Sequence, residues 1–278
     1  MVREKRNKHI LRKERTFSAK KIMPEFKSWR SYRCFEKSVK TKNRYVRNVD
    51  TDDFLDTVLA TSKTRESPVS KGAIFWRSQL GHCWDPIYQG DHFIDEYSEG
   101  PFPPERMKPQ RDMASEGRAN PKGIPCLYLA NNKETAMAEV RPWIGSLISV
   151  GRFKTVRDLI LIDCSINYQP YTLYHYEEPD AETRERAVWS DIDRAFSKPV
   201  SPSDHVADYA PTQIIAELFK NKGRFDGIVY KSHLVEKGYN VVLFNLDAAD
   251  LINCHLYEAS AISFKFEECA SPYFIEKG

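Results

Sequence analysis

No run of apolar residues in this chain approaches the roughly 18 needed to cross a bilayer, and no apolar core follows the basic N-terminus as it would in a secretory signal. Both absences lead to the expectation of a cytoplasmic protein with no membrane contact. Cys34, Cys83, Cys126, Cys164, Cys254 and Cys269 include no CxxC pair, so no zinc site from local spacing is expected. The adjacent His82 and Cys83 do not change this, because neighbouring residues rarely present two ligands in a workable geometry. Several thiols sit in apolar runs such as CLYLA and LILIDCS and read as buried, in a reducing compartment. No GxGxxG opens a helix after a strand and no Walker A motif occurs. A dinucleotide-binding βαβ unit with hydride chemistry is therefore not expected. The chain also lacks an internal repeat.

What the chain does have is an uneven distribution of charge. Its net +3 conceals 17 Lys/Arg against 4 Asp/Glu in residues 1–47, which leaves 25 basic and 35 acidic residues in the remainder. A basic arm joins an acidic body. Phe17, Phe26, Trp29, Tyr32 and Phe35 interleave with the arm's charges, a combination that can bind nucleic acid or an acidic partner. The plain alternative is a solvated tail, or an arm lying across its own domain. At 278 residues with 41% hydrophobic content, the chain can bury one sizeable core plus an appendage.

Asp50 to Thr64 predicts a helix, with carboxylates in its first turn and Phe54, Leu55, Val58 and Leu59 on one face. Arg65 to Lys71 then reads as a linker, giving an N-terminal extension over 1–70 and a main domain over 71–278. Trp84 to Glu116 is rich in Pro, Gly, acidic and aromatic residues with few periodic apolar positions. It reads as a long loop, either a mobile insertion or a wall of a cleft with Arg106 and Arg111 as secondary phosphate-binding candidates. Strands are expected at Leu147–Phe153, Leu159–Asp163, Gly227–Tyr230, Tyr239–Leu246 and Ala259–Glu267, and helices at Glu182–Phe196 and Pro211–Phe219. Tyr168 to Tyr176 is aromatic and irregular. This mixture predicts an α+β fold.

The densest polar grouping lies in Gly117 to Trp143, GRANPKGIPCLYLANNKETAMAEVRPW. Gly117, Asn120, Pro121 and Gly123 predict a tight loop around Arg118. Ile124 to Ala130 reads as a short buried strand carrying Tyr128. Asn131 or Asn132 can cap a helix that stops before Pro142. Glu139 lies beside that helix's apolar face, so its carboxylate is either exposed at an edge or paired. Tyr128, Glu139 and Arg118 can border one cleft; the plain reading leaves Glu139 as a solvated surface residue and Arg118 as an exposed one.

The run GRxNPxGxPxLYLAxxxETAxAEVRP resembles the RES domain, named for an Arg, a Glu and a Ser that recur in it. Upstream, GAIFWRSQLG (Gly72 to Gly81) is similar to the family's first strand, with Arg77 in the place of its Arg. Downstream, FDGIVYKS (Phe225 to Ser232) resembles the strand ending in the Ser, here Ser232, and GYNVVLF (Gly238 to Phe244) resembles a segment in which an Asn, here Asn240, precedes a closing strand. The resemblance spans roughly residues 70 to 265. It implies a split β-sheet like that of ADP-ribosyltransferases with flanking helices, here carrying a basic N-terminal extension, and an enzyme that degrades NAD+. Some members do so by phosphorolysis to nicotinamide and ADP-ribose-1''-phosphate. Many are toxins of two-gene modules whose DNA-binding antitoxin blocks the cleft.

The residues suit that chemistry. Breaking the nicotinamide–ribose bond develops positive charge on the sugar, which a carboxylate such as Glu139 stabilises. Arg77 and Arg118 are guanidinium forks for the two phosphates, and Tyr128 offers an aromatic platform and a hydroxyl to nicotinamide. Ser232 could bond a ribose hydroxyl or help hold the nucleophile, and Asn240 is a weaker binding candidate that could simply open a strand. NAD+ is then a consumed substrate, with phosphate as a possible co-substrate, and no metal or recycled cofactor is called for. The ADP-ribosyl group could pass to phosphate, to water, or to a protein or nucleic acid. A different class of function, a non-catalytic module binding nucleic acid or a partner through residues 1–47, is the alternative. That extension could also carry an oligomer interface.

Overall fold

The computed structural model describes residues 24–111, 113–168, 175–198, 206–263, 266 and 268, the side chains of residues 93, 95 and 206 excepted. Helices α1 (Ser31–Thr41) and α2 (Val49–Thr61) are followed by strands β1 (Glu66–Val69), β2 (Ile74–Leu80), β3 (Cys83–Gln89) and β4 (His92–Gly100), then by a single turn, α3 (Pro104–Met107). Strand β5 (Leu127–Ala130) leads into α4 (Lys133–Glu139), then β6 (Leu147–Thr155), β7 (Leu159–Asp163) and α5 (Ala181–Ser197). Last come α6 (Ala210–Leu218), β8 (Gly227–Lys231), β9 (Tyr239–Leu243) and β10 (Ala249–Glu258). The fold is α+β: eight strands make one sheet in the order β1-β7-β8-β9-β5-β2-β6-β10, and β3 and β4 form a separate hairpin.

The sheet is split, as expected. Strand β2 pairs with β6 from Ile74↔Lys154 to Leu80↔Ile148, but with β5 only at Trp76↔Ala130. One raft of five strands and one of three therefore meet at a single residue pair and diverge beyond it. Within the larger raft the two-residue period of a strand sorts side chains onto opposite faces. Val242, Ile228 and Ile162 join one apolar cluster, built with α1, α2, α5 and α6, whereas Val241, Leu243, Leu159 and Leu161 join another with Met107 and Leu246.

Several sequence-based expectations need correction. The stretch read as a linker contains β1, an edge strand paired antiparallel with β7 from Val69↔Leu159 to Glu66↔Ile162. Pro68 is tolerated in so short an edge strand. The stretch read as a long loop holds the β3–β4 hairpin and α3. Both faces of the hairpin are largely exposed, so its strands carry no apolar alternation, and Gly90, at φ 64°, makes the turn. The final strand is β10, which ends where Ala259–Glu267 was expected to begin; residues 259–263 belong to no strand and residue 267 lies outside the described residues. A bulge between Leu251 and Asn253 breaks its period and hides it. Most of the Tyr168–Tyr176 stretch also lies outside the described residues.

The aromatics of the basic segment turn inward. Phe26, Trp29, Tyr32 and Phe35 are 3–4% exposed, so they form core rather than a stacking surface for bases. Phe17 lies outside the described residues. On α1, Tyr32, Phe35 and Val39 recur at helical spacing and pack with Phe54 of α2, whose ring stacks on Phe35 at 4.6 Å. Arg184 of α5 donates to the Phe26 carbonyl at 2.9 Å, and Trp189 Nε1 donates to Thr61 Oγ1 at 3.1 Å. Residues 24–69 thus share the core of the chain that follows. Among the described residues no helix is long and apolar enough to cross a membrane.

Candidate active site

The loop before β5 is built around Tyr128. Its hydroxyl accepts from the Ala119 backbone N–H at 3.0 Å and donates to Asn120 Oδ1 at 2.7 Å. Asn120, 2% exposed, uses its amide nitrogen on the Ser115 and Pro121 carbonyls, and Gln213 of α6 ties down the Gly117 and Asn120 carbonyls at 3.0 Å each. A side chain at Gly117 would bring its Cβ to 2.5 Å from the Tyr128 hydroxyl, so that position takes glycine. Burial pushes the Tyr128 phenol above its usual range. With its hydroxyl spent on the loop, Tyr128 offers the cleft its ring. Arg118 leaves the same loop toward α5, donating to the Ala195 carbonyl at 3.0 Å and standing 5.5 Å from the Tyr209 ring centroid. A cation suits the last turn of a helix.

Helix α4 starts at the Asn132 cap, whose Oδ1 accepts from the Thr135 N–H at 2.7 Å. It ends at Glu139, because Arg141 takes a left-handed φ of 48° and Pro142 follows. The last helical side chain therefore reaches the split between the rafts. Glu139 Oε1 accepts from Ser232 Oγ and from Asn240 Nδ2, both at 2.8 Å. Ser232 and Asn240 are 3% and 7% exposed, while Glu139 itself faces solvent. The two donors are neutral, so they fix the carboxylate without cancelling its charge. Ser232 Oγ in turn accepts from the Leu234 N–H at 3.2 Å.

Across the split, Arg77 follows the one residue pair that joins the rafts. Its Nη1 donates to the Tyr128 carbonyl at 3.0 Å, spanning a gap where strand ladder bonds are missing. Burial lowers this guanidinium to about 10, which leaves it charged at neutral pH. Its Nε is shielded from solvent without a hydrogen-bond partner, and no carboxylate pairs with it among the described residues. A shielded cation in that condition is costly, and an anionic ligand would satisfy it.

Two adjoining cavities share Tyr128, Glu139, Tyr230 and Asn240. One, of about 370 Å³, adds Arg118, Arg141 and Tyr209; the other, of about 570 Å³, adds Trp76, Arg77 and Ser78. Arg77, Arg118, Tyr128, Glu139 and Asn240 thus border one cleft, and Ser232 reaches it through Glu139. Sequence reasoning passed over Trp76, Arg141, Tyr209 and Tyr230. Trp76 and Tyr230 sit inside motifs already quoted, beside Arg77 and two residues before Ser232, whereas nothing local marks Tyr209.

The secondary candidates lie elsewhere. Arg111 pairs with Asp247 at 2.9 Å on the open surface, and Arg106 stands 4.6 Å over the Phe102 ring; neither borders the two cavities, nor does any hairpin residue. Cys83 Sγ bonds Asp85 and the Pro101 carbonyl, and no cluster of three or more metal-binding side chains occurs among the described residues. A larger cavity of about 750 Å³, between α1 and α2, is bordered by none of the cleft candidates.

Comparison with known proteins matches the RES domain over residues 95–266. No curated protein matches the chain. A crystal structure of the M. tuberculosis MbcT–MbcA toxin–antitoxin complex superposes with a TM-score of 0.39 at 12% sequence identity, covering 73% of this chain and 93% of that one.

Proposed function

This chain belongs to the RES domain family, and we propose that it is an NAD+-consuming toxin-type enzyme that breaks the bond between nicotinamide and ribose. The observation that carries the reading is the arrangement across the split sheet. A carboxylate fixed by two neutral donors, Glu139, shares a cavity with a desolvated guanidinium, Arg77, that has no counter-ion among the described residues.

Departure of nicotinamide leaves positive charge shared between C1'' and the ring oxygen of the ribose. The Glu139 carboxylate, unneutralised by Ser232 and Asn240, stabilises that charge as it develops. Because those donors occupy Oε1, the second oxygen is the one that faces the sugar and can also take a ribose hydroxyl. Arg77 and Arg118 bring cationic donors to the diphosphate from the two sides of the cleft, with Tyr128 and Tyr230 supplying ring faces for the flat, electron-poor nicotinamide. Phosphate attacking C1'' would give ADP-ribose-1''-phosphate, water would give ADP-ribose, and a protein or nucleic-acid acceptor would keep the modification. A partner protein covering the cleft, as the family resemblance implies, would switch such an enzyme off.

The test is incubation of pure protein with NAD+, with and without inorganic phosphate, following nicotinamide and the ADP-ribose product. Phosphate-dependent nicotinamide release with ADP-ribose-1''-phosphate is the expected result. Release without phosphate, giving ADP-ribose, assigns water as acceptor; no release from folded protein under either condition overturns the proposal.

A further inference from the structure

A second polar hollow opens on the three-stranded raft, and neither the cleft chemistry nor the fold accounts for its composition. Strand register places Trp76 beside Arg152 and Arg152 beside Asn253; the two-residue period carries His255 and Tyr257 along the same face of β10. Lys133, the first residue of α4, borders the hollow, which opens to solvent and has a volume of about 370 Å³, within the range of small-ligand sites.

The donors here outnumber the acceptors. The Arg152 guanidinium stands 5.8 Å from the Trp76 ring centroid, and its Nε is shielded from solvent with no hydrogen-bond partner. No carboxylate pairs with it among the described residues. Lys133 Nζ lies 5.4 Å from the Tyr257 ring centroid, and Glu134, the one carboxylate lining the hollow, approaches it at 4.0 Å. A solvated sheet face needs neither a shielded, unpartnered guanidinium nor two rings each set against a cation. Guanidinium and ammonium together ask for a phosphate, and Trp76 and Tyr257 ask for a flat ring. A nucleotide carries both parts.

We propose that this hollow binds a nucleoside monophosphate unit, with the base against Trp76 or Tyr257 and the phosphate on Arg152 and Lys133. Trp76 also borders the cavity that holds Arg77 and Glu139, so the two sites are neighbours. The unit is either the adenylate half of the NAD+ molecule being cleaved, which rests on the function proposed above, or a separate nucleotide.

Titration of AMP into the full chain, read by Trp76-dependent fluorescence and by calorimetry, tests the site without requiring turnover. Saturable binding is expected, weakened at least tenfold by Arg152→Gln and by the surface variant His255→Ala, and largely restored by Arg152→Lys. Nicotinamide release from NAD+ and from nicotinamide mononucleotide, which lacks the adenylate half, separates the two sources. If the substrate's own adenylate sits here, Arg152→Gln raises KM for NAD+ at least tenfold and for the mononucleotide less than twofold. A separate nucleotide leaves both KM values alike while AMP binding still weakens. AMP binding that is absent, or equal in wild type and all variants of unchanged thermal midpoint, overturns the site. If the wild type releases no nicotinamide from either compound, the function proposed above fails, and the AMP titration still decides this site.

Discussion

Two arginines whose guanidinium Nε is shielded from solvent, in two regions of the molecule, show how similar shielding can serve different ends. Arg65 lies in the helical layer, 4% exposed, with its guanidinium 4.3 Å over the Trp189 ring and Nη1 on the Ile166 carbonyl at 3.1 Å. Glu185, Asp163 and Asp193 are close enough to favour its charge against the desolvation that lowers it. Arg77 is lowered by the same cause, to about 10, but what lies in front of it is a cavity, and among the described residues Tyr128 alone raises it. Both carry an unpartnered Nε. Burial and a shifted pKa therefore do not separate a structural cation from a binding one; what stands before the guanidinium does. The helical layer is filled with rings and carboxylates, whereas the split in the sheet leaves space and spare donors.

The contrast is tested most strongly by Glu139→Gln. The amide keeps an oxygen for Ser232 and Asn240 but loses the charge, so nicotinamide release should fall by about 10³-fold or more, roughly 4 kcal/mol of transition-state stabilisation. The thermal midpoint should barely move. Retained activity would reduce the cleft to a structural feature like its counterpart. Trp189→Ala examines the other region: it removes a side chain that is 0% exposed, stacks on Phe219 at 6.2 Å and bonds Thr61. Urea unfolding should lose about 3–5 kcal/mol, while activity per folded molecule stays near wild type.

Asp193 joins the two regions, and its variant sharpens the comparison. It is 0% exposed, its Oδ1 accepts from the Lys231 N–H at 3.1 Å, one residue before Ser232, and its Oδ2 has no partner. Burial raises its carboxyl from 3.8 to about 6. An acid whose folded-state pKa is raised binds its proton more tightly when folded. Its stabilising contribution is therefore full below about pH 4 and lost as pH climbs through about 6. Asp193→Asn, neutral throughout, should be more stable than wild type at pH 8 by on the order of 2–3 kcal/mol, with the gap closing toward pH 4. Denaturant titrations at several pH values measure it, and a pH-independent difference would contradict the assignment. Smallest of all, Arg111→Ala removes an exposed pair with Asp247 and should change stability by less than about 0.5 kcal/mol, with nicotinamide release unaltered.

Legibility in the sequence followed solvent contact and sequence distance. Strand β7 was expected at the limits it has, because a strand buried on both faces reads as an apolar run, and α5 within a residue, because one-sided burial writes a period into a helix. The Asn132 cap and the stop before Pro142 are local chemistry and could be read directly. The meeting of Glu139 with Ser232 and Asn240 followed from motif resemblance; no local pattern links positions 93 and 101 residues apart. The hairpin escaped because water bathes most of both faces, and β1 because four residues are too few to show a period. In α1 the alternative of an arm lying across its own domain is the one the structure shows. Aromatics among basic residues look like a surface for nucleic acid, but Tyr32, Phe35 and Val39 share one helical stripe whose partners lie far along the chain.

That separation has a consequence for synthesis. Phe26 waits for Arg184, Thr61 for Trp189, and β1 for β7, which are 158, 128 and about 90 residues further on. At ribosomal rates of about 5–20 residues per second, the first segments to emerge spend several seconds or more with their rings and a strand edge uncovered. During that interval, the nascent chain is a natural client for a holding chaperone, and the finished molecule closes only when its middle arrives.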